Sequence, residues 1–153
     1  MVVMKVGLTA STFDLLHAGH VAMLREAKTA CDYLICCLQN DPSVDRPEKN
    51  VPIQNIVERQ AQLAAIKYVD EILVYNTEAE LMDILSMYHI DVKIMGEEYR
   101  NKDFTGRELC QERNIEFYFN KRDHRFSTSD LRERVTKGTY LKTHENMMKS
   151  VDK

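Results

Sequence analysis

Two histidines flank a glycine in the segment after the first apolar stretch of the chain: His17, Gly19 and His20. They lie at the predicted start of a helix, where free backbone N–H groups and the helix dipole favour phosphate. The glycine lets an anion approach the backbone, and the imidazoles can donate hydrogen bonds to charge growing on a bridging oxygen. Phosphate chemistry is thus one interpretation. Two capping or packing histidines are another, and a metal site is a third, although no further ligand is spaced to complete it.

Residues 121–137 form the most basic segment of an acidic chain. They hold six Lys or Arg and three Asp or Glu, whereas the whole chain has a formal net charge of −3. The overall charge argues against a nucleic-acid partner. The segment itself predicts attraction of a small anion, with a solvated helix face as the alternative.

The composition indicates one globular domain. The chain has 153 residues, of which 44% are hydrophobic and 29% charged, as is usual for soluble domains. Its longest apolar run is far short of the roughly 20 residues of a membrane span, and no signal peptide is visible, so we expect a cytoplasmic protein with no membrane contact. The four cysteines form no Cys-x-x-Cys pattern, which favours buried thiols over disulfides or zinc.

Strand and helix patterns alternate along the chain. We predict strands over 2–8, 33–38, 69–75, 92–95 and 115–119, and helices over 21–27, 54–67, 77–88, 105–113 and 127–135, with a proline-containing loop over 39–52. Such alternation predicts an α/β fold, a doubly wound, Rossmann-like, five-stranded parallel sheet with helices on both faces. Ligands bind beyond the carboxyl ends of such strands. The predicted domain spans 1–137, and 138–153 is a polar tail, either frayed helix or disordered.

One motif resembles a known superfamily. The run Thr12-Phe13-Asp14-Leu15-Leu16-His17-Ala18-Gly19-His20 is similar to Gly-Thr-Phe-Asp-x-x-His-x-Gly-His of the HxGH nucleotidyltransferases, with Ser11 in place of the first glycine. The resemblance extends over residues 2–137 and is closest to the glycerol-3-phosphate cytidylyltransferases.

Three further segments carry the same resemblance. Glu58-Arg59 followed by Tyr68-Val69-Asp70-Glu71 is similar to the helix with a phosphate-facing arginine. Met95-Gly96-Glu97-Glu98-Tyr99 resembles Met-Gly-Asp-Asp-Trp, with longer acids and a tyrosine. Arg122 and Ser127-Thr128-Ser129 resemble the ends of Arg-Thr-Glu-Gly-Ile-Ser-Thr-Thr, whereas residues 123–126 depart from it.

The resemblance implies roles for individual residues. The catalytic set comprises His17, His20 and Arg122. The nucleotide-binding set comprises Thr12, Phe13, Gly19, Lys49, Gly96, Glu97, Tyr99, Ser127 and Thr128. Asp14 and Arg59 are acceptor-binding candidates, and Mg²⁺ is expected to accompany the nucleotide, with Asp14 as its one candidate protein contact. The resemblance also implies a homodimer.

The implied reaction is attack by an acceptor phosphate on the α-phosphorus of a nucleoside triphosphate, with release of pyrophosphate. CTP and glycerol 3-phosphate, giving CDP-glycerol, are the expected substrates. The alternative is an adenylyltransferase that makes an ADP-sugar such as ADP-heptose from ATP, because His-Ala-Gly-His and Tyr99 also suit that branch. A nucleotide-binding domain without catalysis is a third hypothesis, which the presence of both histidines disfavours.

Overall fold

The fold is built around a parallel β-sheet. The computed structural model describes residues 3–138 and contains five strands: β1 (Val6–Ser11), β2 (Tyr33–Gln39), β3 (Glu71–Tyr75), β4 (Val92–Gly96) and β5 (Glu116–Asn120). Their order is β3-β2-β1-β4-β5, and every neighbouring pair is parallel. The chain reverses its direction of winding at β1, so the carboxyl ends of β1 and β4 flank the switch point where such sheets bind ligands.

Four helices connect the strands, namely α1 (Ala18–Thr29), α2 (Ile56–Ala64), α3 (Glu78–Met87) and α4 (Arg107–Glu112), and a fifth, α5 (Thr128–Lys137), follows β5. A short 3-10 helix lies at Glu97–Tyr99. The sheet has a hydrophobic core on each face. Leu34 packs in one core with Leu24 and Leu63, and Ile35 packs in the other with Leu85. Successive residues of β2 are therefore buried on opposite faces, as expected for a central parallel strand. The predicted doubly wound α/β fold is confirmed.

Several element boundaries differ from the prediction. The first strand was expected over 2–8 but lies at Val6–Ser11, and its end leads directly into the loop that carries the histidines. The helix expected over 54–67 is shorter because Asn55 caps its start and the chain turns after Ala64. Thr77 caps α3, but the Glu80 carboxylate accepts from the N–H of Asn76 rather than that of Thr77.

The cysteines are interior residues. All four are free and buried, and burial raises the pKa of each thiol, to about 12 for Cys37. The predicted tail begins at Gly138, where α5 ends, and its remainder, 139–153, lies outside the described residues. Among the helices of residues 3–138, none is both long and apolar enough to cross a membrane.

Candidate active site

A cavity of about 970 Å³ opens at the carboxyl ends of β1, β4 and β5. Its walls come mainly from the end of β1, from α1 along most of its length, from the segment that follows β4 and from the loop between β5 and α5. Among the predicted site residues, those that line this cavity are His17, Gly19, His20, Gly96, Tyr99, Arg122, Ser127 and Thr128. Segments more than 100 residues apart in sequence thus form one site.

The two histidines cap α1 and face the cavity at the same time. His17 Nδ1 accepts from the N–H of Gly19 at 2.9 Å, and His20 Nδ1 accepts from the N–H of His17 at 3.2 Å. Both Nδ1 atoms are therefore acceptors, so the proton of each neutral imidazole lies on Nε2. His17 Nε2 lies 3.0 Å from Thr128 Oγ1, and the two rings are 4.1 Å apart. The capping and chemical interpretations of this pair are compatible.

Both imidazoles are held neutral. Burial lowers the pKa of His20 to about 4, with a smaller contribution from the neighbouring His17. Burial also lowers the pKa of His17, and the electrostatic influence of His124 and Arg134 lowers it further. At neutral pH the pair therefore offers two uncharged Nε2–H donors, suited to stabilising negative charge that develops during a reaction.

Gly19 lies in the tightest part of the site. A Cβ atom there would come within 2.7 Å of Cε1 of His17 and 3.0 Å of Cβ of Phe126. Any larger residue would push the His17 ring from its capping position. The glycine is thus required by the packing of the site itself, in addition to the expected approach of an anion.

The loop between β5 and α5 forms the basic wall. Arg122 is exposed, lines the cavity and makes no ion pair with any described residue. Ser127 caps α5 by accepting from the N–H of Asp130 at 3.1 Å. Arg125 is exposed but lies outside the cavity lining. Arg122, which the resemblance matches to the arginine of the family motif, thus lies at the cavity, and its role toward phosphate stays a prediction.

The segment after β4 forms the aromatic wall. Tyr99 lines the cavity, and its carbonyl accepts from the Arg107 guanidinium at 3.1 Å. Glu97 had been expected to contact the nucleotide, but its carboxylate pairs with Arg100 outside the cavity. The adjacent Glu98 takes its place in the lining.

Five other predicted site residues do not line the cavity: Thr12, Phe13 and Lys49, and also Asp14 and Arg59. Phe13 is fully buried in the core beneath α1, with a positive φ of 48°. Thr12 offers its carbonyl to Arg59. Lys49 is exposed in the loop before α2. The nucleotide contacts expected of these residues have no counterpart in the geometry, because each side chain lies away from the cavity.

The Asp14 carboxylate joins the loop after β1 to the segment before α2 and to α5. Its carboxylate accepts from the N–H groups of Ile53 and Gln54 at 2.9 Å and from Arg132 at 2.8 Å. Burial by itself would raise the pKa of Asp14, but these donors outweigh it and lower the pKa. Its expected role toward acceptor or metal has no support in the geometry, because the carboxylate is buried, does not line the cavity and already accepts three hydrogen bonds from the protein. Residues 3–138 contain no group of three or more His, Cys, Asp or Glu placed to hold a metal ion.

Arg59 is likewise interior. It is 2% exposed, and its guanidinium donates to the carbonyls of Gln54, Thr12, Gln39 and Asn40. With its donors directed at backbone, it connects α2 to the ends of β1 and β2. The expectation that it binds the acceptor phosphate is replaced by a structural role.

Sequence reasoning missed several cavity residues. His124 and Phe126 stack with ring centres 5.5 Å apart, and both line the cavity. Glu26 of α1 accepts from Tyr118 and from the N–H of Lys121, which joins α1 to the end of β5. The departure of residues 123–126 from the motif was the available signal for His124.

A family model and several known proteins are similar to this chain in sequence. The family model described as cytidylyltransferase-like matches residues 8–134. The bifunctional protein HldE of Rhodopseudomonas palustris (strain HaA2) is 34% identical over 137 residues, which are 89% of this chain and 28% of that protein. HldE of Gluconacetobacter diazotrophicus is 34% identical over 112 residues, 71% of this chain and 22% of the relative. The chain thus spans about a quarter of the length of these relatives.

Solved structures share the architecture. A lipopolysaccharide core biosynthesis protein from Thermoplasma volcanium superposes with a TM-score of 0.63 at 26% identity, covering 77% of this chain and 97% of that one. A Vibrio parahaemolyticus structure has a TM-score of 0.60 at 14% identity over 92% of each chain, a likeness of fold alone.

Proposed function

The chain belongs to the cytidylyltransferase-like family and is a nucleotidyltransferase, and from that membership we propose that it transfers AMP from ATP to a phosphorylated sugar and releases pyrophosphate. The observation that carries the proposal is the pair of neutral Nε2–H donors, His17 and His20, in one cavity with the exposed Arg122. This set can stabilise phosphate charge, and positioning together with such stabilisation is sufficient for direct transfer without a covalent enzyme intermediate.

In the proposed reaction, an oxygen of the acceptor phosphate attacks the α-phosphorus in line. A new O–P bond forms as the bond from the α-phosphorus to the bridging oxygen of the β-phosphate breaks, and that electron pair leaves with pyrophosphate. The Nε2–H groups of His17 and His20 donate to the charge that grows on the phosphoryl and bridging oxygens. Arg122, Ser127 and Thr128 hold the leaving phosphates by hydrogen bonds, charge-assisted at the guanidinium.

Mg²⁺ is proposed only as a companion of the triphosphate. Bound to phosphate oxygens, it would neutralise charge that the protein leaves uncompensated. Asp14 does not fit as its ligand, since Ile53, Gln54 and Arg132 already occupy the carboxylate.

The comparisons favour a sugar phosphate as acceptor. The matched relatives are HldE proteins, and the Thermoplasma volcanium structure carries a name from lipopolysaccharide core biosynthesis. These names agree with an ADP-sugar such as ADP-heptose better than with CDP-glycerol. A cytidylyltransferase for glycerol 3-phosphate remains the second candidate, since Arg122 and the hydroxyls of Ser127 and Thr128, which resemble that family's motif, line the cavity. Homodimerisation stays a prediction of the family resemblance.

A substrate screen tests the proposal. Each of ATP, CTP, GTP and UTP is incubated with Mg²⁺ and one acceptor, either a heptose or hexose 1-phosphate or glycerol 3-phosphate, and pyrophosphate release is followed. We expect turnover with ATP and an aldose phosphate. Turnover restricted to CTP and glycerol 3-phosphate would replace the first candidate by the second. Activity that persists when both histidines are changed to alanine would remove the chemistry from this cavity.

A further inference from the structure

His124 is a cavity residue that the motif resemblance leaves without a role. It stands in the loop between β5 and α5 and lines the same cavity as His17. The motif that this loop resembles has glutamate at the corresponding position, so the histidine is a feature of this chain. An imidazole can donate to a phosphate, whereas a carboxylate would repel it.

The two ring nitrogens of His124 have different surroundings. Nδ1 is buried and has no hydrogen-bond partner among the described residues. The ring stacks on Phe126 with an interplanar angle of 30°, and Phe126 itself packs against Gly19. The stack therefore holds the imidazole beside the helix start that the two catalytic histidines cap.

The buried nitrogen decides the tautomer of the neutral ring. An N–H group buried without an acceptor is less well tolerated than an acceptor without a donor, so the proton belongs on Nε2. Nε2 makes no hydrogen bond to any described residue, so it is the nitrogen left to meet a ligand in the cavity. His124 thereby presents the same group, an Nε2–H, as His17 and His20.

We propose that His124 Nε2–H donates a hydrogen bond to a terminal phosphate of the bound nucleotide, and so to the departing pyrophosphate. The inference rests on the proposed function. The terminal phosphates are assigned because His124 shares its loop with Arg122, which is proposed to hold the leaving phosphates, whereas His17 and His20 belong to the start of α1. His124 is then a binding residue for the leaving group.

Side-chain amides test which nitrogen acts. The amide nitrogen of glutamine reaches approximately the position of Nε2, and that of asparagine approximately the position of Nδ1. His124→Ala, His124→Asn and His124→Gln are titrated by calorimetry with pyrophosphate, ATP and AMP. His89→Ala serves as a matched control, since His89 is exposed and pairs with Asp91 next to the amino end of β4.

We expect the alanine and asparagine variants to bind pyrophosphate and ATP about tenfold more weakly, the loss of one charge-assisted hydrogen bond. The glutamine variant should stay within about threefold of the wild type, and AMP affinity should be unchanged in all. An equal loss for AMP, or an asparagine variant that binds as well as the glutamine variant, would overturn the assignment. So would wild-type affinity in all three variants.

The same titrations separate this inference from the proposed function. If the unmodified protein binds ATP and pyrophosphate and His124→Ala does so equally well, the His124 assignment fails and the nucleotidyltransferase site stands. If the unmodified protein binds neither, the proposed function fails with it. Melting temperatures within a few degrees of wild type show that the variants are folded when they are compared.

Discussion

The two loops that meet at the cavity differ in how much of their hydrogen-bonding capacity the protein itself uses. In the loop after β1, Asp14 accepts from three donors, and His17 and His20 cap α1 with their Nδ1 atoms. In the loop after β5, Arg122 is exposed without an ion-pair partner in the described chain, and His124 has an orphan nitrogen. The protein's own hydrogen bonds fix the first loop, whereas the second keeps an arginine and an imidazole nitrogen without partners among the described residues.

The positions of the loops explain the contrast. β1 is the central strand, and the loop that follows it passes between α1 and the buried Arg59, where every polar group needs a partner. β5 is an edge strand, so its loop lies against solvent and can keep cationic groups available. The hydrogen-bonding groups of the first loop are therefore held in place by the protein, while the cationic groups of the second loop are accessible.

The largest expected effect comes from removing the support of the first loop. Arg59→Ala leaves four carbonyls without their donor, so we expect the free energy of unfolding to fall by about 3 kcal/mol or more, measured by urea denaturation. Arg122→Ala, the matched change in the second loop, should alter it by less than about 0.5 kcal/mol. If Arg59→Ala leaves the free energy of unfolding unchanged and raises the KM for the acceptor, Arg59 binds substrate and the structural assignment is wrong.

Changing the preorganised donors should abolish most turnover. His17→Ala and His20→Ala each remove one Nε2–H and should lower kcat by about 10²-fold or more, measured by steady-state pyrophosphate release. Circular dichroism should report the wild-type fold, with about 1 kcal/mol lost because α1 loses part of its cap. Near-wild-type turnover in either variant excludes that histidine from the chemistry.

Substitution in the second loop should lower the affinity for nucleotide more than it lowers kcat. Arg122→Ala should weaken nucleotide affinity by about 10-fold to 150-fold, the value of a charge-assisted contact of roughly 1.5 to 3 kcal/mol. Arg125→Ala is the control, and because Arg125 lies outside the cavity its loss should be below about threefold. Calorimetric titration with ATP compares the two. The reverse ranking would mean that the loop is assigned wrongly.

Acid should weaken the first loop before the second. The pKa of His20 is about 4 in the folded chain and about 6.5 when unfolded, so between these values the unfolded state binds more protons. The contribution of His20 to the free energy of unfolding is therefore fully present above pH 6.5 and is lost as the pH falls toward 4, by about 3 kcal/mol. Denaturation curves at pH 7, 6, 5 and 4 measure it. His20→Gln should flatten this dependence, and an equal slope in both proteins would contradict the assignment.

The fold and the position of the histidine pair in the first loop could be predicted from the sequence because their signals are local, whereas the positions of Thr12, Phe13 and Asp14 in that loop could not. Alternating apolar runs predict parallel strands, and His17-Ala18-Gly19-His20 stands beside the helix that it caps. The family resemblance then identified Arg122 because a short motif keeps its spacing. Boundaries near 54–67 and 69–75 shifted because caps and turns compete with the periodic pattern over one or two residues.

Only the tertiary structure decided which charged residues face the cavity. Arg59 finds its acceptors on Thr12, Gln39 and Asn40, 19 to 47 residues away, and no local pattern shows that these carbonyls meet one guanidinium. Glu97 and Glu98 are neighbours in sequence, yet one pairs with Arg100 and the other lines the cavity. The sequence by itself determined the sheet and the histidine pair that caps α1, and packing between distant segments determined which side chains line the cavity without partners.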